Sequence, residues 1–261
     1  FAAGHFVSNF YRRWLYGRSA AFLAYSKAAT QFLLSRGAAP EKIIRGFQVV
    51  PSEQLPPPAQ TKEGLGLAGC QVILYVGYFT PRKGLPTLLH AFQKVAQPAD
   101  RLVLVGDGPD KAVLRQIAAR DGRILFPGYL EGAQKTSWYA AADLFVLPTR
   151  HDPWGLVVNE ALAFGLPIIT TTAAGCAELV QENGRVVPAD NVPALATALS
   201  QLLSDPAGRA KMGQQSRKKI APYTVAAACN AFLQVIDCCL KTDLFANQKN
   251  QDKSSPPVDL S

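Results

Sequence analysis

The 261-residue chain is poor in the residues that build metal centres and cross-linked scaffolds. It has three histidines and one methionine. Its five cysteines, Cys70, Cys176, Cys229, Cys238 and Cys239, are scattered, and none has metal-ligand spacing. An odd count at irregular positions argues against a disulfide framework and for reduced thiols in a cytosol. The adjacent Cys238-Cys239 reads as packing. No unbroken apolar run approaches the ~18 residues that a membrane helix needs, and no signal-peptide pattern is present. Acidic residues are also in deficit, 19 against 27 Lys and Arg, for a net charge of +8. That excess suits a phosphate-bearing ligand, an acidic membrane surface met peripherally, or nucleic acid. Nucleic acid is set aside, because neither a nucleic-acid motif nor an aromatic–basic alternation accompanies the charge. The chain begins with Phe1 rather than Met, so it is expected to be a piece of a longer product.

What is present is a regular alternation. Apolar residues make up 48% of the chain, enough for a full core. Strands are expected at 72–76, 102–105, 124–126, 144–147, 168–170 and 185–187. Helices are expected at 86–96, 109–119, 133–142, 155–164, 193–204, 206–220 and 225–240. Strands alternating with helices of about ten residues mean βαβ units and a parallel α/β sheet covered on both faces. Before them, 21–25 and 43–44 read as short strands around a helix at 27–36. Two such strands cannot bury both faces of a sheet alone. Residues 51–69, rich in Pro and Gly, read as a linker, and 246–261 as a disordered tail.

The stretch from Thr149 to Thr170, TRHDPWGLVVNEALAFGLPIIT, organises the rest. It follows the apolar run Leu144–Leu147, then enters a polar loop and a helix closed by Gly165 and Pro167. A helix N-terminus therefore opens above the carboxyl end of a parallel strand, where ligands of such sheets bind and free N–H groups favour an anion. Asp152 in the loop and Glu160 on the helix flank that N-terminus. Taken alone, Asp152 reads as an N-cap and Glu160 as a solvated helix residue.

The stretch resembles the Glu-x7-Glu motif of the retaining nucleotide-sugar glycosyltransferases of family 4, among the group 1 glycosyl transferases. Asp152 stands at the first Glu and Glu160 at the second, and Pro-Trp-Gly-Leu-Val-Val-Asn-Glu-Ala with the trailing Gly-Leu-Pro is close to the pattern. Gly77-Tyr78-Phe79-Thr80-Pro81-Arg82-Lys83-Gly84 resembles the family's loop with an Arg and a Lys on the donor diphosphate. Lys83-Gly84 matches, Tyr78 stands where the family has Arg, and Arg82 is the candidate substitute. Gly106-Asp107-Gly108-Pro109 matches a tight turn, and Phe126-Pro127-Gly128-Tyr129-Leu130 a segment whose backbone faces the nucleobase.

The resemblance covers about residues 20 to 240 and implies a GT-B fold, with a Rossmann-like donor-binding domain at 70–222 and a C-terminal helix at 223–245. Residues 1–50 would be the remnant of the amino-terminal, acceptor-side domain. It implies transfer of a sugar from a nucleotide diphosphate sugar to a glycan, lipid or small-molecule acceptor with retention, and no metal or other cofactor. Asp152 and Lys83 carry the catalytic roles. Arg82, Lys83 and the amides of Gly155, Leu156 and Val157 would hold the diphosphate. Glu160 would take the ribose hydroxyls, and the backbone of Tyr129 and Leu130 the base. The cysteine pattern and the positive charge together make the expected location cytoplasmic, peripheral at the inner membrane face. A nucleotide-sugar epimerase of the same fold and a silent fragment that only binds nucleotide sugar are the alternatives.

Overall fold

The computed structural model describes residues 11, 14–51, 55–119 and 121–252, with side chains as far as 241. It divides into two compact units, one made of 1–48 with 225–261 and the other of 49–224.

The smaller unit has two parallel strands, β1 (Phe22–Ala24) and β2 (Ile43–Arg45), with Phe22 opposite Ile43. Between them lies α1 (Lys27–Ser35), whose N-cap Ser26 hydroxyl accepts from the Ala29 amide at 3.0 Å. The long α8 (Val225–Asp252) packs on both strands. It therefore belongs with the amino-terminal segment rather than forming an appendage to the larger domain. It also runs seven residues into the expected tail, because no Pro or Gly interrupts the sequence between Gly213 and Pro256 other than Pro222. Arg12, Arg13 and the end of the tail, 253–261, lie outside the described residues. Phe232, Leu233, Ile236 and Leu240 are exposed on α8. An 18-residue window within 206–241 is apolar enough to cross a membrane by length and composition alone. A count of unbroken apolar runs misses it, since Asn230, Gln234 and Asp237 interrupt the runs without outweighing them.

The larger unit is a six-stranded parallel sheet in the order β5-β4-β3-β6-β7-β8. The strands are β3 (Gln71–Val76), β4 (Asp100–Val105), β5 (Ile124–Gly128), β6 (Leu144–Leu147), β7 (Ile168–Thr171) and β8 (Gly184–Val187). Helices α2 (Leu85–Val95), α3 (Lys111–Ala118), α4 (Gly132–Ala141), α5 (Leu156–Ala163), α6 (Val192–Leu203) and α7 (Pro206–Ile220) connect and cover them. Residues 72–76 and 144–147 are buried throughout, as continuous apolar runs in a doubly covered sheet should be. α3 starts two residues later than its pattern suggests. The Asp107 carboxylate accepts from the Gly108 amide and from Lys111 Nζ, which holds 108–110 as a turn.

The Pro- and Gly-rich stretch is fastened to this unit from residue 55 onward. Ser137 Oγ accepts from the amides of Ala59 and Gln60, and Lys62 pairs with Asp143 at 2.6 Å. Leu67 is buried. Composition marks this stretch as irregular, but its anchors lie 77 to 81 residues away in sequence and are invisible to it.

The chain runs outward from β3 through β4 to β5, then returns to place β6 on the other side of β3. The β3–β6 boundary is the point where strand order reverses. A crevice opens there at the carboxyl ends of the strands. The loops that follow β3 and β6 are 77–84 and 148–155, the two segments singled out by sequence.

Candidate functional site

The two loops are stitched together by their backbones. The Arg82 carbonyl accepts from the Arg150 amide at 2.7 Å and from the Thr149 hydroxyl at 2.9 Å. Arg150 reaches further, to the Pro81 carbonyl and to both oxygens of Asp190. Pro81–Lys83 form a single 3-10 turn that ends at Gly84, in the left-handed region at φ 65°. The turn directs Lys83 inward and leaves Arg82 half-exposed.

Lys83 and Asp152 meet as a buried ion pair, Nζ to Oδ2 at 2.5 Å, each side chain only 10% exposed. Arg82 Nη1 lies 3.8 Å from the same oxygen and donates to the His151 carbonyl. Asp152 is not the N-cap of α5. That position belongs to Gly155, at φ 95°. Asp152 instead forms an isolated bridge with Ala174, donating its amide to the Ala173 carbonyl while its own carbonyl accepts from Gly175. Its second carboxylate oxygen accepts from the Trp154 amide at 3.3 Å. The bridge, rather than a cap, fixes the carboxylate beside Lys83. His151 is exposed, and its carbonyl rather than its ring serves the loop.

Glu160 sits on the first turns of α5 and is not a solvated residue, its side chain being 13% exposed. Lys135 Nζ donates to Oε1 at 2.8 Å and the Tyr139 hydroxyl to Oε2 at 2.7 Å. Burial first, and the Glu160 charge second, push the Tyr139 hydroxyl well above its usual range, so it remains a donor. Lys135 and Tyr139 are four positions apart on α4 and share a face. That spacing is the only sign of them in the sequence, and it names no partner.

Lys135, which holds Glu160, also lines a cavity of about 230 Å³, together with Gly77, Tyr78, Gly106, Tyr129 and Leu130 among others. Tyr78 and Tyr129 are largely exposed at its rim, and the Tyr129 hydroxyl donates to Glu131. Gly155, Leu156 and Val157 open α5, where the first amides of any helix lack intrahelical acceptors and the dipole favours an anion. The sequence-derived residues therefore gather around one crevice. Arg82, Lys83 and Asp152 form one group, the start of α5 adjoins it, and Glu160 lies one turn on. Tyr129 and Leu130 line the cavity with Lys135.

Cys176 backs this site, its sulfur 3.2 Å from where a Cβ on Gly155 would stand. Burial first, then the nearby Asp152 charge, push its thiol up to about 12. It is expected to resist iodoacetamide in the native state while the exposed Cys229 reacts, because the thiolate is the nucleophile. The same shift makes folding pH-dependent. The thiol's contribution is intact below its ordinary value of 9.0 and is lost as pH rises towards about 12. The slope is about 1.4 kcal/mol per pH unit. A denaturant midpoint that is level between pH 8 and pH 10.5 would contradict this.

Residues 70–205 match the family of glycosyl transferases group 1. The lipopolysaccharide core biosynthesis glycosyltransferase LpsE of Rhizobium meliloti is 29% identical over 175 residues, covering 65% of this chain and 50% of that protein. The GDP-mannose-dependent monoacylated alpha-(1-6)-phosphatidylinositol monomannoside mannosyltransferase of Corynebacterium glutamicum is 34% identical over 172 residues, 61% and 45% of the two chains. Among solved structures, sucrose-phosphate synthase of Thermosynechococcus elongatus superposes with a TM-score of 0.71 at 27% identity, over 86% of this chain and 58% of that one. HepE of Anabaena, in complex with UDP, superposes at 0.74 with 21% identity, over 85% and 64%. The chain spans about half the length of the curated relatives it matches. Its fold is of the GT-B type, an α/β parallel sheet flanked by helices. With more than half of its residues matched, the chain belongs to the group 1 glycosyl transferases.

Proposed function

We propose that the chain is the donor-binding part of an enzyme that transfers a sugar from a nucleotide diphosphate sugar to an acceptor, with retention at the anomeric carbon. One observation carries the reading: at the reversal of strand order, two cations and a helix N-terminus converge near a carboxylate held by Lys135, which itself lines a cavity. Cleavage of the bond between sugar and diphosphate leaves a nucleotide diphosphate, so negative charge grows on the phosphate oxygens in the transition state. Lys83 supplies a compact charge and Arg82 a forked one. The amides of Gly155, Leu156 and Val157 add preorganised donors. With these groups the reaction as proposed needs no metal or other cofactor.

Asp152 stands on the sugar side of that clamp. It accepts from a ring hydroxyl or offsets the positive charge that develops at the anomeric carbon. Glu160 accepts from the ribose hydroxyls, and the base enters the adjoining cavity against the backbone of Tyr129 and Leu130. The acceptor is a glycan, a lipid or a small molecule, and no nucleic acid takes part. Two of the relatives are named for lipopolysaccharide core and phosphatidylinositol mannoside synthesis. These names and the +8 charge support a cytoplasmic protein that meets an acidic membrane surface peripherally.

Binding is testable on the chain itself. Titration with UDP and GDP is expected to show saturable binding by one or both. In Glu160→Ala the tighter of the two should lose about 1.5–3 kcal/mol, the worth of a hydrogen bond to a charged group. A folded Glu160→Ala variant with undiminished affinity would remove Glu160 from the donor site.

A further inference from the structure

The Glu160 carboxylate is held at both ends, by groups that no reading of the sequence brought together. Tyr139 is buried, at 1% exposure. Its ring lies between Phe145 and Phe164, stacked on both, with centroids 5.9 Å and 5.4 Å away. The rings set where the hydroxyl points, and it points at Glu160 Oε2, 2.7 Å away, with the Val157 carbonyl at 3.4 Å. Lys135, one turn earlier on α4, holds Oε1. An ionised carboxylate offers about four lone-pair sites on its two oxygens. Two donors leave the rest available, and one of those donors, Lys135, itself lines the cavity. A free glutamate on a helix surface would have to give up its rotamer freedom on binding, whereas this one is already aimed.

From this geometry we infer that Tyr139, with Lys135, is a positioning residue that fixes Glu160 so that its remaining lone pairs select a nucleotide with intact ribose hydroxyls. The inference rests on the proposed reading of Glu160 as the ribose acceptor. Selectivity against a deoxyribose arises because a rigid acceptor cannot follow the ligand to another donor. A loose acceptor can turn to water and lose little. The two stacked rings make this separable from folding, since Phe at 139 fills the same slot between Phe145 and Phe164 and removes only one oxygen.

The test is calorimetric titration of the full chain with UDP and 2′-deoxy-UDP, and with GDP and 2′-deoxy-GDP, for wild type, Tyr139→Phe, Lys135→Met and Glu160→Ala. Wild type is expected to prefer the ribo form by about tenfold or more, the low end for a hydrogen bond to a charged group. Tyr139→Phe should cut that preference several-fold through weaker ribo binding, with deoxy binding little changed, and Lys135→Met should act in the same direction. Glu160→Ala should abolish the preference. If Glu160→Ala abolishes it and Tyr139→Phe leaves it intact, the positioning role is overturned while the ribose reading stands. If Glu160→Ala keeps the preference, or if neither ribonucleotide binds wild type, the ribose reading is overturned and the inference with it. Equal losses for ribo and deoxy forms in Tyr139→Phe would reduce the residue to a packing role.

Discussion

Asp152→Ala is expected to destabilise the larger unit by about 3–5 kcal/mol, the cost of leaving one member of a buried ion pair uncompensated. Lys83 and Asp152 are each only 10% exposed, so solvent does little to soften the loss. The two ends of the pair are not equivalent. When Lys83 is removed by Lys83→Met, Asp152 still has Arg82 at 3.8 Å and the Trp154 amide. When Asp152 is removed, Lys83 and Arg82 face each other across the vacated volume with no anion between them. Asp152→Ala should therefore be the more destabilising of the two, and a diphosphate should repair it.

That repair separates a structural ion pair from a substrate site. Asp152 is paired with the cations that the proposed donor's phosphates need. Without Asp152, UDP or pyrophosphate should bind more tightly than to wild type and raise the melting temperature by more, since stabilisation follows RT ln(1 + [L]/Kd). Lys83→Met should bind the same ligands more weakly. Both effects should shrink in high salt, as exposed parts of the clamp are screened. Thermal melts of the three proteins with and without pyrophosphate decide the matter. Equal destabilisation by both substitutions with no anion effect would mean that the pair is only structural.

The sheet was legible because its strands are short apolar runs separated by helix-period segments, and burial on both faces makes such runs unmistakable. The crevice was legible because a helix that follows a parallel strand opens at the carboxyl edge of the sheet, whereas the adjacency of the two loops follows from the strand order of the structure. The local roles of the acidic residues were harder to read. Asp152 looks like an N-cap by position, yet Gly155 takes that place because the chain must first bridge to Ala174, twenty-two residues on. Glu160 looks solvated by helical spacing, yet α4 brings Lys135 and Tyr139 over it from twenty-five and twenty-one positions away. The fastening of the Pro-rich stretch to Ser137 and Asp143 has the same cause. Periodicity reports which face of an element is buried, but it does not say what covers that face. The start of α2 differs by one residue for a simpler reason. Pro86 sits at the second helical position rather than the first, after the left-handed Gly84.

Gly84→Ala is expected to cost about 2–6 kcal/mol, the sum of two independent penalties. The first is backbone strain, about 1–3 kcal/mol for a non-glycine residue held at φ 65°. The second is steric. A Cβ at Gly84 would stand 2.2 Å from the Pro148 carbonyl oxygen. That atom is backbone at the end of β6 and cannot swing aside as a side chain could, so overpacking adds about 1–3 kcal/mol. Gly66→Ala separates the two terms. Gly66 has a similar φ of 72°, and nothing lies within 4 Å of its would-be Cβ, so it should show the strain alone. Because the atom displaced belongs to the loop that carries Asp152, the steric part should also reach the site. Pushing the 77–84 and 148–155 loops apart would lengthen the contacts of Arg82 with Arg150 and Thr149 and draw Lys83 away from Asp152. Gly84→Ala is thus expected to weaken UDP or GDP binding, whereas Gly66→Ala should leave it unchanged. Denaturant titrations and nucleotide titrations of the two variants, made side by side, test both halves of the argument. Similar stability losses would show that the loops yield without cost. Unchanged binding by a folded Gly84→Ala variant would show that the approach of the two loops does not set the donor site.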